Sequence, residues 1–538
     1  MILLTSGAYI SQEFASEVGL LPPAFLPIAN KRLYELQADL IASSKSNKYI
    51  SLPKDYVVPD ADVSELENLD ISILRVPSKI SLGESILYSW NSTGKSHDTL
   101  TILHGDTLFS QDFDFNHHPP DSISVHKNTG SYIRAKLANG SDISAKFKNV
   151  RASDSDLVVS GFFSFSEPHL LMKGILENNG NFIKALEYYN SFRTLTLISK
   201  GDWFDFGHLN SFFRSRSEMT TQRAFNEMKI TSLVVDKRSS NSKKMYAESS
   251  WFEALPKYLK LHTPQFLGEI KENNEYCGYQ LEFLYLLPLN DLFVFGQLAD
   301  GDWRQIFSAA ANILDQFKSY KPSGEELDKV VSISNLIYMD KTKKRLAQFA
   351  EMENFDLDEK FGLVCKPNVK VSLNEIMHES SKYITEITQE KVGIIHGDFC
   401  FSNILYDSRA RRLKLIDPRG MDSNSQFTIY GDTRYDIAKL YHSVFGGYDL
   451  IISGRFQNSF DKQTKQYTFK LLTNENQSQV EKLFNEIFLI NADNRHKEIL
   501  SITIHLFLSM LPLHFDYKER QQAMIANALR LYFKLQEL

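Results

Sequence analysis

The sequence predicts an α/β protein in which a doubly wound, Rossmann-like domain is followed by a second domain of mixed α and β structure. The length of 538 residues is too great for one ordinary core, so at least two domains are expected. Up to about residue 215, short apolar runs alternate with helical stretches, as in a parallel sheet with covering helices. After residue 300, helical patterns dominate. We therefore predict one domain over residues 1–217 and another over residues 218–538.

In the first domain, five segments alternate between strand and helix character. The predicted strands are MILLTS, ISILRVP and LTILHGD, and the predicted helices are NKRLYELQADLIAS and LGESILYSW. The opening MILLTSGAYI has no basic region and no small-residue cleavage pattern, so we interpret it as a buried first strand rather than a leader.

In the second domain, a smaller lobe over about residues 218–287 precedes a larger lobe over about residues 288–538. The smaller lobe is predicted to contain a β-ribbon in QRAFNEMKITSLVVDKRSS, a helix in KKMYAESSWFEALPKYL and a strand in GYQLEFLYLL. In the larger lobe, the apolar residues of DWRQIFSAAANILDQF recur at three-four spacing, which is typical of a helix packed on a core. The short strands predicted in VGIIHGD, NILYD and LKLIDP interrupt this helical region, and such interruptions usually present functional residues.

Composition excludes several classes of function. The chain has 66 acidic and 60 basic residues, so neither nucleic acid nor an anionic membrane surface is indicated as a partner. The three cysteines, Cys277, Cys365 and Cys400, have no CxxC spacing, which argues against a zinc site or a disulfide framework and fits a reducing cytosol. The apolar stretch ILSITIHLFLSMLPL is too short to span a bilayer and is predicted to be a core helix. We predict a cytoplasmic protein without membrane insertion, and the oligomeric state stays open.

Polar residues that could take part in catalysis are concentrated in IIHGDFCFSNILYDSRARRLKLIDPRG, residues 394–420. Asp398 and Asn403 have the D-x-x-x-x-N spacing in which a carboxylate orients a substrate hydroxyl while an amide oxygen binds magnesium. Asp417, at the end of an apolar strand, would add a second hard oxygen ligand. His396 is grouped with these catalytic residues and is expected to brace the loop through hydrogen bonds rather than act on the substrate. The set indicates phosphoryl transfer.

The segments IHGDFCFSNIL, LKLIDPRG and GDTRYDIAKLYHSV closely resemble the aminoglycoside phosphotransferase and choline kinase family, over roughly residues 218–538. The resemblance implies a bilobal protein-kinase-like α+β fold that uses ATP and Mg²⁺. It implies that Asp398 is the catalytic base and that Asn403 and Asp417 hold the metal ion. It also implies that Asp436, in YDIAKL, anchors the catalytic loop.

The same resemblance implies that the smaller lobe carries an ATP-contacting lysine paired with a helix glutamate. Lys237 and Glu248 are our candidates for this cofactor-binding pair. Lys243 and Lys244 lie close by and stay open as alternatives for the lysine.

Adenine is expected at a hinge in LEFLYLL, residues 281–287, where the backbone near Glu282 and Leu284 would hold it. No glycine lies between residues 208 and 267, so a glycine-rich phosphate loop is absent from the sequence. The segment RAFNEM must therefore cover the phosphates by other means.

Upstream, LLPPAFLPIANKRLYELQ, LGESILYSW, LTILHGDTLF, VVSGFFSFS and GDWFDFGHLNSF resemble, in this order, segments of sugar-phosphate nucleotidyltransferases. The resemblance covers about residues 1–215. It implies that Asp106 and Asp205 jointly hold a catalytic magnesium ion, with Asp106 also counted as catalytic, because the ion offsets the repulsion between two carboxylates. Gly83, like Gly7 in the opening loop, is expected to lie beside the nucleotide.

The opening loop departs from that family. It lacks the family's arginine, and the position of the lysine in its P-K-x-L-x-P segment falls near Pro23 and Ala24. Lys31 is retained from the neighbouring segment, and Arg32 is a candidate to act in place of the missing cations. The loss of two cations could cost several kcal/mol of transition-state stabilisation.

Two functions are compatible with these features. In the first, a bifunctional enzyme phosphorylates a small alcohol, polyol, amino alcohol or sugar with ATP. It then couples the product to a second NTP, with CTP preferred, giving an NDP-activated building block for a capsule or other surface glycan. In the second, the N-terminal domain is a nonreacting sugar- or nucleotide-binding module, and only the kinase works. Asp106 and Asp205 favour the first function, and the missing cations favour the second.

Overall fold

The computed structural model describes residues 1–94, 97–128, 133–137, 147–151, 156–219, 227–272, 275–335, 337–474, 476–489 and 493–538. The chain forms two compact units. Unit 1 consists of Met1–Met219 with Phe295–Gln297, and unit 2 consists of Thr220–Val294 with Leu298–Leu538. Both units contain helices and strands, so the predicted α/β class is confirmed. Most of the segment RAFNEM lies outside the described residues.

Unit 1 is built around a mixed β-sheet with helices. Its strands are β1 Ile2–Thr5, β2 Pro27–Ile28, β3 Lys31–Arg32, β4 Lys48–Pro53, β5 Ile71–Val76, β6 Leu100–His104, β7 Thr107–Phe109, β8 Ser122–Lys127, β9 Ile133–Leu137, β10 Phe147–Arg151, β11 Leu157–Phe165, β12 Thr196–Ile198 and β13 Trp203–Asp205. Its helices are α1 Gln12–Val18, α2 Leu33–Ile41, α3 Asp60–Asn68, α4 Leu82–Ser92, α5 Pro168–Glu177, α6 Phe182–Phe192 and α7 Leu209–Glu218. Residues of α4, α5 and α6 contribute to one apolar core with the sheet.

The four strands β5, β4, β1 and β6 are adjacent in this order and parallel. The predicted strands correspond to β1, β5 and β6, and β4 was not among them. The prediction of a parallel sheet was incomplete, because β11 pairs antiparallel with β6, β8 and β9. In the described part of residues 122–165 no helix separates successive strands. Parallel neighbours need a long crossover, so these strands run antiparallel instead.

The order of the parallel strands places the switch point of a doubly wound sheet between β1 and β6. In such sheets ligands bind beyond the carboxyl ends of the strands at this point. β1 ends at Thr5, just before Gly7, and β6 ends at His104, just before Asp106. The backbone N–H of Gly105 donates to the carbonyl of Thr5 at 2.9 Å, so these two strand ends are adjacent.

Unit 2 begins with strands around one helix and continues with mostly helical structure. Its strands are β14 Glu227–Ile230, β15 Val234–Arg238, β16 Phe266–Glu272, β17 Glu275–Glu282, β18 Leu287–Pro288, β19 Gly362–Leu363, β20 Val392–Ile394, β21 Ile404–Asp407, β22 Arg412–Leu415, β23 Tyr430–Asp432, β24 Phe456–Asp461 and β25 Gln466–Leu471. Its helices are α8 Ser242–Ala254, α9 Leu289–Val294, α10 Asp300–Ser319, α11 Glu325–Asn335, α12 Met339–Glu353, α13 Leu373–Ser381, α14 Arg434–Val444, α15 Tyr448–Ile452, α16 Gln477–Phe484, α17 Asp493–Met510 and α18 Lys518–Glu537.

The first strands of unit 2 form an antiparallel sheet in the order β14-β15-β17-β16, and α8 packs on β17. In the helical part, α10 buries the apolar stripe that its sequence predicts, from Trp303 to Phe317. The stretch predicted as a core helix lies in α17, whose described residues from Ile499 onwards are almost all buried. Among the residues that the structure describes, no helix is both long and apolar enough to cross a membrane.

Candidate active sites in the two units

The downstream His-Gly-Asp turn follows β20 and is held by hydrogen bonds to the carboxylate of Asp436 on α14. Asp436 accepts hydrogen bonds from the backbone N–H of His396 at 2.7 Å and from that of Gly397 at 2.8 Å. Gly397 has a φ of +75°, a left-handed conformation that favours glycine. Asp436 therefore anchors the loop as the resemblance implies, and the anchored turn leads directly into Asp398.

Asp398 lies at the centre of a hydrogen-bonded group. Its Oδ2 accepts from the Nδ2 of Asn403 at 3.0 Å, and its Oδ1 pairs with the ammonium of Lys439 at 2.8 Å. Burial acts to raise the pKa of Asp398, but the charge and hydrogen bond of Lys439, with the charge of Arg419, lower this pKa well below its ordinary value. The side chain of Asp398 keeps 39% of its surface exposed. It is thus an ionised, accessible carboxylate, as a residue that orients a hydroxyl must be.

A second charged group joins Asp417 to the smaller lobe. The ammonium of Lys237, on β15, lies 2.7 Å from Oε2 of Glu248 and 3.0 Å from Oδ1 of Asp417. Burial acts to lower the pKa of Lys237, but Asp417 and Glu248 outweigh it and raise this pKa. The hydroxyl of Tyr279 donates to the same Oε2 of Glu248, at 2.8 Å. Lys237 is therefore a buried cation fixed between two carboxylates.

The alternatives for the ATP-contacting lysine, Lys243 and Lys244, lie on α8 rather than on β15. Lys244 is half-exposed and reaches Oε1 of Glu248 at 3.5 Å, while Lys243 is exposed. Neither has an ion pair with Asp417 among the described residues. The geometry thus brings together Lys237, Glu248 and Asp417, and the ATP-contacting role of Lys237 stays a prediction.

The backbone after Asp417 explains how these elements meet. Asp417 itself has a φ of +57°, an uncommon conformation for a residue with a side chain, which surrounding structure must hold in place. Gly420 has a φ of +63°, and a Cβ on it would lie 2.0 Å from the carbonyl oxygen of Ala247 on α8. Glycine thus allows this loop to touch the helix that carries Glu248.

Two side chains of the loop, His396 and Cys400, are buried. The ring of His396 has no exposed surface, packs against Trp251, and accepts at Nδ1 from the backbone N–H of Asp398 at 3.3 Å. Burial lowers the pKa of His396 to about 4, so the ring is neutral and braces the turn. Burial raises the pKa of the Cys400 thiol to about 12, so this cysteine is an inert space-filler rather than a nucleophile.

The donor set around the loop fits a magnesium ion held mainly by substrate phosphates. The Nδ2 of Asn403 donates to the carbonyl and to the side chain of Asp398, so the amide is oriented with its Oδ1 on the opposite side. Asp417 adds a carboxylate that is 24% exposed. Among the described residues no group of three or more His, Cys, Asp or Glu side chains is arranged to hold a metal ion. One amide and one carboxylate suit Mg²⁺, which commonly takes few protein ligands and completes its shell with phosphates and water.

The predicted hinge is only partly a strand. β17 ends at Glu282, whose backbone N–H donates to the carbonyl of Gln265 at 2.9 Å. Leu284 lies in a tight turn in which its carbonyl accepts from the N–H of Leu286 at 2.8 Å. The strand therefore includes Glu282 but ends before Leu284, and the roles of both residues in holding adenine remain predictions.

In unit 1, the structure brings Asp106 and Asp205 together although 98 residues separate them in the sequence. Asp205 ends β13, which pairs antiparallel with β7, immediately after Asp106. A Cβ placed on Gly207 would lie 2.4 Å from Oδ2 of Asp106 and 3.4 Å from Oδ1 of Asp205. The two carboxylates thus flank one point that only a glycine leaves open, and they form a plausible pair of magnesium ligands.

The upstream His-Gly-Asp turn is braced by an amide. The buried Gln37, on α2, donates from Nε2 to the carbonyls of His104 at 2.8 Å and Thr107 at 2.7 Å. Burial lowers the pKa of His104 to about 4, and its ring packs on Phe163. His104 is therefore a neutral structural residue at this turn.

Gly7 and Gly83 lie where neighbouring segments of unit 1 come too close for a side chain. A Cβ on Gly7 would lie 2.5 Å from Cγ2 of Val76 and 2.7 Å from Oγ of Ser85. A Cβ on Gly83 would lie 2.4 Å from the carbonyl oxygen of Gly180. These contacts account for both glycines without a ligand, and their expected place beside a nucleotide stays a prediction.

The cations that could replace the missing arginine and lysine are engaged within the protein. Arg32 is 2% exposed and pairs with Asp62 at 3.1 Å, while its Nη1 donates to the carbonyl of Phe25 at 2.8 Å. The suggestion that Arg32 could neutralise a triphosphate is therefore not supported. Lys31 is half-exposed and lies 3.5 Å from Asp39.

Four residues around Asp398 were not found from the sequence: Lys341, Arg419, Tyr435 and Lys439. A signal existed for Lys439, because it lies three residues after Asp436 on one helix and such residues share a face. Arg419 stands two residues after Asp417 in the DPRG segment. Lys341 lies on α12, and nothing in its local sequence connects it with the loop.

Comparisons with known proteins separate the two parts of the chain. No protein-family model matches the chain, and no curated protein matches it. A nucleoside-diphosphate-sugar pyrophosphorylase from Vibrio cholerae RC9 covers 40% of this chain and 99% of its own, with 14% identity and a TM-score of 0.34. The inositol-1-phosphate CTP transferase from T. maritima covers 41% of this chain and 97% of its own, with 11% identity and a TM-score of 0.31.

A GDP complex of aminoglycoside 2'-phosphotransferase-IIIa covers 59% of this chain and 91% of its own, with 14% identity and a TM-score of 0.32. The solved structures similar to the N-terminal part are thus nucleotidyltransferases, and those similar to the C-terminal part are aminoglycoside phosphotransferases. These are the two families that the sequence motifs resemble.

Proposed function

We propose that the chain is a bifunctional transferase. Unit 2 phosphorylates a small hydroxyl compound with ATP, and unit 1 transfers a nucleotidyl group, from CTP in our preference, to the phosphorylated product. The observation that carries the proposal is the pair of charged groups in unit 2. In it, Lys237 is fixed between Glu248 and Asp417, and Asn403 donates to Asp398 in the loop that precedes Asp417.

In the kinase reaction, the acceptor oxygen forms a bond to the γ-phosphorus of ATP. The bond from that phosphorus to the bridging oxygen breaks, and ADP leaves with the electron pair. The acceptor proton passes to the carboxylate of Asp398, which is ionised and exposed enough to receive it. Lys237 would bind the nucleotide phosphates, and Asn403 and Asp417 would hold Mg²⁺. When bound, this ion neutralises phosphate charge.

In unit 1, a phosphate oxygen of the phosphorylated acceptor would form a bond to the α-phosphorus of the NTP. The bond to the bridging oxygen breaks and pyrophosphate leaves with the electron pair. Asp106 and Asp205 would hold the magnesium ion, which when bound lowers the charge on the triphosphate. The site lies beyond the ends of β1 and β6, where doubly wound sheets bind nucleotides. The output would be an NDP-activated alcohol, polyol or sugar suited to building a capsule or other surface glycan.

A second function is favoured by one observation. Arg32 is buried against Asp62, and Lys31 pairs with Asp39, so unit 1 has no arginine or lysine from this segment ready for a triphosphate. Unit 1 would then bind a sugar or nucleotide without reacting, and the chain would act only as a small-molecule kinase.

Separate product measurements test these alternatives. The full chain is incubated with Mg²⁺, ATP, CTP or other NTPs and a panel of polyols, sugars and amino alcohols, and products are followed by phosphorus NMR. Under the bifunctional proposal, Asp398→Asn abolishes ADP formation, while Asp106→Asn abolishes only the release of pyrophosphate. If the wild-type chain never releases pyrophosphate with any phosphorylated acceptor, unit 1 is a binding module. If it never forms ADP, the kinase proposal is wrong.

A further inference from the structure

Three cationic side chains converge beside Asp398, and we call Lys341, Arg419 and Lys439 the cation cluster. Lys439 pairs with Asp398 at 2.8 Å. The other two meet at one hydroxyl, because Arg419 donates from Nη2 to Oη of Tyr435 at 2.6 Å and Lys341 lies 3.4 Å from the same oxygen. The guanidinium of Arg419 also stacks over the ring of Tyr435, 4.6 Å from its centroid. Two of these cations thus contact Tyr435, and the third pairs with the proposed catalytic carboxylate.

The cluster is assembled from separate elements of unit 2. Lys341 comes from α12, and Lys439 and Tyr435 come from α14. Arg419 follows β22, and its backbone N–H donates to the carbonyl of His396 at 2.9 Å. A Cβ on Gly397 would lie 2.8 Å from Cβ of Arg419, so this side chain starts directly against the catalytic loop. The arrangement fixes positive charge close to where the acceptor hydroxyl would sit.

Two of the three cations lack a direct ion pair with a carboxylate in the part of the chain that the structure describes, although the charges of Asp398 and Asp436 also act on Arg419. Among the described residues, Lys439 has a carboxylate partner, whereas neither Lys341 nor Arg419 forms an ion pair with a carboxylate. Both are half-buried and retain accessible surface. Cations removed from water are costly unless opposite charge compensates them. A ligand that brings negative charge would supply this compensation.

The pKa of the Tyr435 hydroxyl is consistent with an excess of positive charge around it. Burial acts to raise the pKa of Tyr435, but the charges of Arg419, Lys341 and Lys439 outweigh it and lower this pKa to about 7. A phenol responds in this way where local positive charge exceeds negative charge. The nucleotide end of the site has a cation of its own in Lys237, which lies 3.0 Å from Asp417.

We propose that the phosphoryl acceptor of unit 2 carries an anionic group, a carboxylate or a phosphate ester, and that Lys341 and Arg419 bind this group while Asp398 orients the hydroxyl. The proposal rests on the kinase function proposed above and narrows its substrate class. It excludes choline-like amino alcohols, whose cation would be repelled by the cluster. It also disfavours neutral polyols, which leave the two cations uncompensated. Both possible anions offer the oxygen pairs that a guanidinium binds in a bidentate manner.

The test uses matched acceptors with the full chain, Mg²⁺ and ATP. One set is glycerol, glycerate and glycerol 3-phosphate, and another is glucose, glucuronate and glucose 6-phosphate, with choline as the cationic member. ADP formation is measured for each. In at least one set, kcat/KM for the carboxylate or the phosphate ester should exceed that of the neutral parent by about tenfold or more. The anionic member that is preferred identifies the group that the cluster binds.

Acceptor-free ATP hydrolysis separates failure of this inference from failure of the kinase function. If the wild-type chain hydrolyses ATP slowly and Asp417→Asn does not, unit 2 is a phosphotransferase. The inference is then overturned if a neutral or cationic acceptor is preferred, or if no anionic acceptor raises ADP formation. If no Asp417-dependent turnover of ATP occurs under any condition, the kinase function is wrong and the inference falls with it.

Lys341→Met, compared with Lys343→Met, shows what the cluster binds. Lys343 is exposed on the same helix, so it controls for the loss of a charge and for changes in α12. Lys341→Met should raise KM for the anionic acceptor by about tenfold and leave KM for ATP unchanged, while Lys343→Met should change neither. A Lys341→Met variant that slows acceptor-free ATP hydrolysis and all acceptors equally would mean that the cluster neutralises the transferred phosphoryl group, and the inference would be wrong. Melting temperatures of both variants establish that the fold is intact.

Discussion

The tripeptide His-Gly-Asp follows a strand in each unit, but the two turns are held by hydrogen bonds of opposite polarity. In unit 2, the carboxylate of Asp436 accepts from the backbone N–H groups of His396 and Gly397. In unit 1, the amide of Gln37 donates to the carbonyls of His104 and Thr107. The same three letters are therefore compatible with two different local structures, and the residue that braces the turn differs accordingly.

The electrostatic settings of the two aspartates differ as well. Asp398 lies against the ammonium of Lys439, so the protein itself supplies the opposite charge. Asp106 lies close to Asp205 at Gly207, an arrangement of like charges that a bound cation stabilises. The tripeptide thus ends in a carboxylate in both units, while the surrounding residues give the proposed base and the proposed metal ligand different charge environments.

The largest expected effect concerns the two histidines at low pH. Burial lowers the pKa of His104 and of His396 to about 4, below the ordinary value of 6.5. As pH falls from 6.5 towards 4, the unfolded chain binds a proton that the folded chain does not, so stability decreases as pH falls. For the fully buried His396 the loss reaches at most about 3 kcal/mol, and for the partly exposed His104 it is smaller.

Amide hydrogen exchange in peptides from β6 and β20, measured from pH 7 to pH 4.5, reports this loss for each unit within the full chain. His104→Phe and His396→Phe should each reduce the pH dependence in their own unit only, because other histidines, such as His126 in unit 1 and His505 in unit 2, also have a lowered pKa. His117→Gln, at a site 84% exposed, is the control. An unchanged slope in both phenylalanine variants would mean that the two rings do not remain neutral in the folded state.

Gly207→Ala should lower the proposed nucleotidyltransferase activity of unit 1. The added methyl group would lie 2.4 Å from Oδ2 of Asp106 and would push apart the two carboxylates that are proposed to share a metal ion. We expect pyrophosphate release to fall by at least about 100-fold, with ADP formation unchanged. Gly301→Ala, at a helical position where a Cβ meets nothing within 4 Å, is the control. Full pyrophosphate release by Gly207→Ala would contradict the metal pair.

Much of this organisation was predictable because it is local in sequence. The spacing of Asp398, Asn403 and Asp417 reflects one loop and the strands that follow it, and the structure keeps them together. The apolar stripe of α10 was predictable for the same reason, since helical periodicity decides which side faces the core.

What could not be predicted depends on contacts between distant segments. The antiparallel strand β11 was missed because pairing partners are not encoded in its own alternation of residues. Arg32 was suggested as a free cation because nothing near it in sequence indicates Asp62, which neutralises it in the fold. Gln37 and Lys341 likewise contact residues more than 50 positions away, His104 and Tyr435.

Two isosteric substitutions test the opposite polarity of the turns. Asp436→Asn places an amide N–H against a backbone N–H donor, and Gln37→Glu places a carboxylate against two carbonyl oxygens. Each substitution preserves shape, so the loss of about 2 kcal/mol that we expect comes from the altered hydrogen bonds and the change of charge rather than from packing. Hydrogen exchange should show the loss in unit 2 for Asp436→Asn and in unit 1 for Gln37→Glu.

Asp315→Asn and Gln348→Glu make the same chemical changes at exposed helical positions, and they should alter stability by less than about 0.5 kcal/mol. If either buried variant is as stable as its exposed control, the hydrogen bonds assigned to that brace are not important for holding its turn.

The smallest expected effect is a shift in a pH profile, and it tests whether Asp398 and Asp106 lie in different electrostatic environments. Lys439→Met removes the cation that helps to keep the pKa of Asp398 low, while burial continues to act to raise it. Because the ionised carboxylate is the active form, the acid limb of the kinase pH profile should move to higher pH, by about one unit or more, equivalent to about 1.4 kcal/mol. Pyrophosphate release is the proposed reaction of unit 1, whereas Lys439 belongs to unit 2, so the pH profile of pyrophosphate release should not move. A kinase profile with a lower maximum but an unshifted limb would instead mean that Lys439 contacts the transferred phosphoryl group and that Asp398 owes its low pKa to Arg419.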